Sequence, residues 1–310
     1  MPWLLPTMLF VPGGNERHLT KARSLEVPAL ILDLEDSVAP SGKEAARSLV
    51  ARFLDEPRAT ETVFVRVNPP GSRWHADDLK EVTRPGLSGI VLPKVERAET
   101  VRSVASVLED LERRAGMEPG TIRLIATIET VAGLRRAAAI GAASPRVLCL
   151  GFGAVDLSAD LGLPWPAEAG RVNPTLLHAR VELVLASREA GLLPPHDGAY
   201  PRYQDGEGLR REAELARELG FFGKHAVHPD QVPVILEAFR PTEAEVAAAR
   251  RVVRELEAQE GVGAGALGIE GEMVDRAAGR RAQALLRLHE ELAGGSDRPG
   301  RESAGELRTP

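Results

Sequence analysis

The sequence predicts a (β/α)8, or TIM, barrel carrying a C-terminal helical lid extension, and three observations lead there. Eight short apolar runs recur, the last ending at residue 227. Most are followed by a segment with helical periodicity. Several are near-continuous in apolar residues and not strictly alternating, as parallel strands covered on both faces are. Such barrels take about 250 residues, so a chain of 310 holds one with an appendage.

In order, the runs are "MLFV" (8–11), "ALILDL" (29–34), "VFVRV" (63–67), "GIVLP" (89–93), "IRLIATI" (122–128), "RVLCLGF" (146–152), "GAY" (198–200) and "GKHAV" (223–227). The seventh is the weakest signal, short and set among prolines, glycines and aspartates. Between the runs, a helix starts after Asn15, a good N-cap, and "SGKEAARSLVARFL" starts another near Ser41. "RAETVRSVASVLEDLERRAG" ends at Gly116 and "PTLLHARVELVLASREAG" at Gly191, both suited to a C-cap. The rival is a doubly wound open sheet. Against it, no G-x-G-x-x-G opens the first crossover and no G-x-x-x-x-G-K-[ST] occurs.

The organisation expected is a barrel over residues 1–240, C-terminal helices and lid over 241–293, and a disordered polar tail over 294–310. "TEAEVAAARRVVRELEAQE" reads as an amphipathic helix, "GVGAGALGIEG" as a flexible hinge and "EMVDRAAGRRAQALLRLHEEL" as a second helix. A Gly-rich hinge carrying a helix is the layout of a mobile lid. An ordinary linker between packed helices is the alternative.

Composition narrows the function. Hydrophobic residues at 43% and charged residues at 27% describe a globular chain with a sizeable core. A net charge of −6 gives no electrostatic footprint for nucleic acid. Cys149 is the only cysteine, which excludes an intrachain disulfide and a Cys-based zinc cluster and fits a reducing cytoplasm. "MPWLLPTMLF" lacks a basic n-region and carries two prolines, so it reads as the lead-in to a strand and not as a signal peptide. No apolar stretch approaches the ~20 residues needed to cross a bilayer. A cytoplasmic protein with no nucleic-acid or membrane partner is expected.

In a barrel, reactive groups gather where strands end and βα-loops begin. Glu35 and Asp36 follow the second run, Arg66 ends the third, Lys94 follows the fourth, Glu129 the fifth, and Asp156 lies in the loop after the sixth. One rim thus carries carboxylates from three strands and cations from two. Oxygen ligands from separate elements, with no cysteine cluster and no paired histidines, suit a hard cation such as Mg²⁺, with Mn²⁺ as a substitute. Glu129 and Asp156 are the best direct ligands, and Asp36 is placed to bind water at the cation. Asp33 shares a strand face with Glu35 and is expected to pair with Lys94 or Arg66. Alternatives stand beside these roles. Asp156 suits an N-cap equally well, Glu129 could complement a helix dipole, and Arg66 could be a structural ion pair. His225 and His228 straddle a strand end and a Pro turn, which favours structural roles over a metal pair. "PGGN" before a helix is a weak anion signal.

Taken together, "MLFVPGGNERHLTKA", "ALILDLEDSVAPSGKEAAR", "VFVRVNPPGS", "GIVLPKVE", "IETVAGL", "LGFGAVDLSADLG" and "LGFFGKHAVHPDQV" resemble, in that order, the citrate lyase β-subunit-like proteins of the HpcH/HpaI aldolase family. These include malyl-CoA, citramalyl-CoA and citryl-CoA lyases, and the resemblance covers residues ~8 to 290 as a single large domain plus appendage. It implies a barrel with Mg²⁺ between Glu129 and Asp156, a substrate-binding Arg66, and Asp36 ordering water at the metal. "GALGIEGEMVD" places the family's lid aspartate at Asp275, which in relatives commonly reaches a neighbouring subunit's site. Homotrimers or homohexamers are implied. The sequence departs from relatives at Pro6, where many carry an Arg, and at the double-glycine turn "PGGN". Both lie where relatives approach CoA.

The implied chemistry is reversible cleavage of a β-hydroxyacyl-CoA into an acyl-CoA and a 2-oxo acid. Mg²⁺ would polarise the oxo-acid carbonyl, Arg66 would hold a carboxylate or enolate oxygen, and Asp275 would serve as base. Three other outcomes use the same residues: a malyl-CoA-type thioesterase, a class II aldolase acting on a non-CoA hydroxy-oxo acid, and a non-catalytic metal-binding subunit. Neighbouring acyl groups differ by only ~1–3 kcal/mol per methylene in binding, so residue types alone do not choose between them.

Overall fold

Short strands suffice here because each crosses only the wall of a closed sheet. Thr7–Pro12 (β1), Leu30–Asp33 (β2), Val63–Arg66 (β3), Gly89–Leu92 (β4), Arg123–Ile128 (β5), Val147–Phe152 (β6), His196–Asp197 (β7) and Gly223–Ala226 (β8) pair in parallel and in chain order. β8 returns to β1, with Thr7 opposite Lys224, and closes the barrel. The computed structural model describes residues 5–164, 172–259, 266–269 and 272–293. Leu30 and Leu32, Val63 and Val65, and Ile90 and Leu92 belong to the core shared with the helices. By the two-residue period of a strand, Ile31, Asp33, Phe64 and Arg66 face the barrel interior.

The surrounding helices are Glu16–Ala22 (α1), Lys43–Asp55 (α2), His75–Val82 (α3), Ala98–Arg114 (α4), Val131–Leu134 (α5), Ala137–Gly141 (α6), Ala154–Asp160 (α7), Pro174–Glu189 (α8), Gly206–Leu219 (α9) and Gln231–Phe239 (α10). Asn15 caps α1 as expected, its side chain accepting the His18 N–H at 3.2 Å. Asn173 caps α8, with Pro174 at the first helical position. A short 3₁₀ turn, Pro40–Gly42, leads into α2. Gly116 and Gly191 follow α4 and α8 with φ of 70° and 69°, the left-handed turn that releases the chain from a helix.

The seventh strand departs from the sequence expectation. It lies at His196–Asp197 and not at residues 198–200. Both residues are polar, yet His196 is 3% and Asp197 0% exposed. An ion network carries the burial of Asp197 in place of apolarity, and the His196 ring stacks on His225. Asp197 accepts from Arg180 Nε at 2.9 Å and from Lys224 Nζ at 2.7 Å. The fully buried Lys224 also reaches Glu212 Oε1 and the Gly198 carbonyl, each at 2.6 Å. A buried charge is tolerable only when paired in this way, and a search for apolar runs passes over such a strand.

The chain divides into a unit over Leu5–Phe239 and a second containing Arg240–Pro310. In the second, Glu243–Gln259 (α11) packs on Arg276–Ala293 (α12). Thr242 and Glu245 exchange hydrogen bonds in a capping box at the start of α11. Ala266–Ile269 (β9) pairs antiparallel with Glu272–Asp275 (β10), Gly268 standing opposite Met273. Part of the expected flexible hinge is therefore a hairpin strand. Gly261, Gly263, Gly265 and Gly271 of that hinge, and the tail over 294–310, lie outside the described residues. No helix among the described residues is long and apolar enough to cross a membrane.

Candidate active site

Asp33 and Arg66 are register partners at the ends of β2 and β3, and this pairing organises the rim. Arg66 Nε and Nη2 donate to Asp33 Oδ1 and Oδ2 at 2.7 and 2.8 Å. Asp33 Oδ1 and Oδ2 also accept the N–H groups of Glu35 and Ser37. Burial raises the Asp33 pKa, but Arg66 and these donors outweigh it and hold the carboxyl below its usual range. Arg66 is correspondingly raised: burial works against its charge, and the Asp33 fork more than compensates. The Phe10 ring lies under the guanidinium, 4.9 Å from its carbon. Of the three guanidinium nitrogens, Nη1 remains for other partners.

Glu35 sits next along the loop. Its Oε1 accepts Lys94 Nζ at 2.9 Å. Its Oε2 is 3.1 Å from Arg66 Nη1, an ion-pair distance, but the buried oxygen makes no directed hydrogen bond. Burial raises the Glu35 pKa, with Arg66 and Lys94 opposing. Asp36 is exposed, 3.9 Å from both Arg66 Nη1 and Lys94 Nζ.

Lys94 joins the rim together. It is the only non-glycine among the described residues with positive φ, 52°, a conformation that costs roughly 1–2 kcal/mol. That backbone directs its N–H onto Glu129 Oε1 at 2.6 Å. Its side chain meanwhile reaches Glu35 and stands 3.5 Å from Asp156 Oδ1. Burial lowers the Lys94 pKa, and the Glu35 contact with the other carboxylates raises it further.

Glu129 follows β5 and precedes Thr130, which caps α5, so it is not a first-turn residue. It is 4% exposed and makes no ion pair among the described residues. Burial first, then Glu35 and Asp156, push its carboxyl up to about 8. Gly153 across β6 admits it, since a Cβ there would overlap the Glu129 Cβ and Oε2. Gly153 also holds the N-cap position of α7, which places Asp156 inside the first turn and removes the N-cap alternative.

The donor set fits a divalent cation. Among the described residues, Asp33, Glu35, Asp36 and Asp156 form ion pairs with Arg66 or Lys94, Glu129 forms none, and Asp33 is spent on Arg66. Glu129 is the buried carboxyl at this rim left without an ion-pair partner among the described residues. Among the described residues no three His, Cys, Asp or Glu side chains form a metal-ligand group by themselves. Two protein carboxylates with water and substrate oxygens completing the shell is how Mg²⁺ is commonly held.

Arg66, Glu35, Asp36, Glu129 and Asp156 thus come together around Lys94. Asp275 belongs to the C-terminal unit, where it ends β10 and caps α12. Its Oδ1 accepts the Ala277 and Ala278 N–H groups, each at 2.9 Å. Those bonds, that of Ala278 first, hold its carboxyl below the usual range. His225 and His228 part company. His225 is buried edge-on to Phe10 and stacked on His196, whereas His228 stacks on Tyr203 and pairs with Asp230. Strand-end logic offered Lys94 only as a candidate partner for Asp33, whereas it pairs with Glu35, and passed over Phe10. The available signal for Phe10 was its parity with the inward-facing positions of the first strand.

The HpcH/HpaI aldolase/citrate lyase family matches residues 6–229. This chain belongs to that family. The chain is similar to citrate lyase subunit beta of Escherichia coli (strain K12), 36% identical over 290 residues, covering 93% of this chain and 94% of the relative. A (3S)-malyl-CoA thioesterase of Cereibacter sphaeroides (strain KD131) is 34% identical over 270 residues, covering 87% and 89%. Among solved structures, Mycobacterium tuberculosis CitE in complex with magnesium, acetoacetate and coenzyme A superposes with a TM-score of 0.75 at 33% identity, covering 94% of this chain and all of that one. Family membership and the closed barrel agree with the fold the motifs predict.

Proposed function

We propose that this protein is a Mg²⁺-dependent carbon–carbon lyase that cleaves or forms a β-hydroxyacyl-CoA of the malyl-, citramalyl- or citryl-CoA type, yielding an acyl-CoA and a 2-oxo acid. The observation that carries this is the buried Glu129 carboxyl, without an ion-pair partner among the described residues and beside Asp156, at a rim that also presents Arg66 and Lys94. Glu129 and Asp156 hold the cation, with Mn²⁺ as a substitute. Bound there, the metal supplies Lewis-acid polarisation of the oxo-acid carbonyl. Arg66 offers Nη1 to a substrate carboxylate or enolate oxygen while Asp33 fixes the plane of the group. Lys94 offsets negative charge among Glu35, Asp36 and Asp156. Asp36, exposed at the rim, is placed to hold water there.

Asp275 is the base for the acyl-CoA α-carbon. Its Oδ1 is engaged by α12, which leaves Oδ2 for the proton. We place it in a neighbour's site within a homotrimer or homohexamer, and the protein in the cytoplasm. The relationship to a (3S)-malyl-CoA thioesterase supports a second outcome, hydrolysis of the thioester at the same site. A panel of 2-oxo acids crossed with acyl-CoAs, scored by mass spectrometry with and without Mg²⁺, separates them. A β-hydroxyacyl-CoA formed from a matched pair supports the lyase. Free CoA from a single enzyme supports the thioesterase. A CoA-independent reaction supports the non-CoA aldolase, and Mg²⁺ binding without turnover supports a non-catalytic subunit.

A further inference from the structure

Lys43, the first residue of α2, is a buried cation whose placement the proposed reaction does not explain. It is 6% exposed, and Asp33, Asp78, Glu35 and Asp36 surround it. Yet its ammonium makes no ion pair with any carboxylate among the described residues. Nζ donates instead to two consecutive main-chain carbonyls, Leu34 and Glu35, each at 2.7 Å. The Trp74 ring lies 5.4 Å away and covers it. Lys224, the other buried lysine among the described residues, pairs with Asp197 and Glu212 in the ordinary way. Burying an ammonium costs free energy unless it is compensated, so this arrangement calls for a local reason.

The two carbonyls belong to the segment that delivers Glu35 and Asp36 to the rim. Asn68 Nδ2 adds a second donor to the Leu34 carbonyl at 3.0 Å, and Asp78 holds Asn68 through both its N–H and its side chain. We propose that Lys43 is a positioning residue, which fixes the Leu34–Glu35 main chain so that Glu35 and Asp36 are presented to Arg66 and Lys94. It supplies positive charge behind the carboxylates without engaging any of their oxygens, leaving those oxygens for the rim. The effect on catalysis rests on the lyase proposal, whereas the effect on the loop does not.

Hydrogen exchange and Mg²⁺ calorimetry on full-length wild type, Lys43→Met and Lys43→Arg test this. Methionine keeps an apolar stem of similar length against Trp74 and removes the donors. Arginine keeps the charge and offers paired donors to adjacent carbonyls. The amides of Glu35, Ser37 and Val38 report on the loop through their bonds to Asp33 and to the Glu35 carbonyl. In Lys43→Met, peptides over residues 33–42 should exchange roughly tenfold faster while β5 and α9 stay unchanged. Lys43→Arg should restore most of the protection. Mg²⁺ affinity should fall by roughly tenfold or more in Lys43→Met, as it does when groups that orient ligands are lost. A lysine acting only through its charge would give the opposite sign, because removing a cation would tighten Mg²⁺ binding. Unchanged exchange over 33–42, or equal acceleration throughout the barrel, overturns the proposal. If wild type binds no Mg²⁺, the lyase proposal fails, and the exchange data still decide the role of Lys43.

Discussion

Replacing Glu129 with glutamine should stabilise the metal-free protein, and should do so more strongly as pH rises. A buried carboxyl raised from 4.5 to about 8 binds its proton more tightly in the folded state than in the unfolded chain. Its stabilising effect is fully present below pH 4.5 and is lost as pH rises through 8. Each tenfold change in proton affinity is worth about 1.4 kcal/mol. Ionising Glu129 therefore costs the wild type about 2 kcal/mol more at pH 8.5 than at pH 6.5 by this linkage. Glutamine mimics the protonated acid and removes that slope. Thermal melts in EDTA at the two pH values give the assay. At roughly 2–4 °C per kcal/mol for a chain of this size, the melting-temperature difference between variant and wild type should widen by about 4–8 °C. Mg²⁺ should restore the alkaline stability of the wild type and leave Glu129→Gln unaffected. An equal offset at both pH values, or a variant less stable at pH 8.5, would refute the view of Glu129 as a buried carboxylate awaiting a cation.

Arg66→Lys should lower turnover by roughly 100-fold or more, because a point charge cannot form the Asp33 fork and still present a donor to substrate. Near-normal kinetics would make Arg66 structural. Stability should fall between pH 6.5 and 4 through His196, which burial depresses to about 4 with Asp197 opposing. A depressed histidine stabilises above 6.5 and loses that contribution as the pH falls through 4, here worth about 3 kcal/mol. Acid melts of His196→Asn that keep the full wild-type slope would contradict this. Asp275→Asn should keep its melting temperature, since asparagine caps as well as aspartate, while turnover falls by roughly 100-fold or more. Mixed with inactive Glu129→Gln, it should regain part of the activity if Asp275 serves a neighbour. A mixture that stays inactive despite proven subunit exchange, or an active monomer, excludes that arrangement.

Seven of the eight strands lie where the sequence runs place them, six of them because their sides toward the helices are mainly Leu, Val and Ile, as in Leu30–Leu32 and Val63–Val65. β7 was displaced because Asp197 is buried by Arg180 and Lys224, residues 17 and 27 positions away that no local window contains. Strand-end polarity singled out Arg66, Glu129 and Asp156, since each ends or closely follows an apolar run. What that logic cannot show depends on distance between separate elements. Gly153 looked like any loop glycine until Glu129 occupied the space where its Cβ would lie. The left-handed turn at Lys94, which aims an N–H at a residue 35 positions on, leaves no mark on composition. The Arg66–Asp33 pair was half legible: strand parity offered Arg66 or Lys94 as partners, and the β2–β3 register selects Arg66.

The most direct measurement is Mg²⁺ titration of wild type, Glu129→Gln and Asp156→Asn by calorimetry, with product formation from a malyl-type CoA thioester followed in the same samples by mass spectrometry. Wild type is expected to bind Mg²⁺ and to release an acyl-CoA together with a 2-oxo acid, both abolished by EDTA. Each variant should remain folded, with Mg²⁺ binding and cleavage lost together, because removing one of two carboxylates leaves too little charge to hold the cation. Wild-type Mg²⁺ affinity in either variant, or carbon–carbon cleavage that survives EDTA, would contradict the assignment of Glu129 and Asp156 as the metal-holding pair of a lyase.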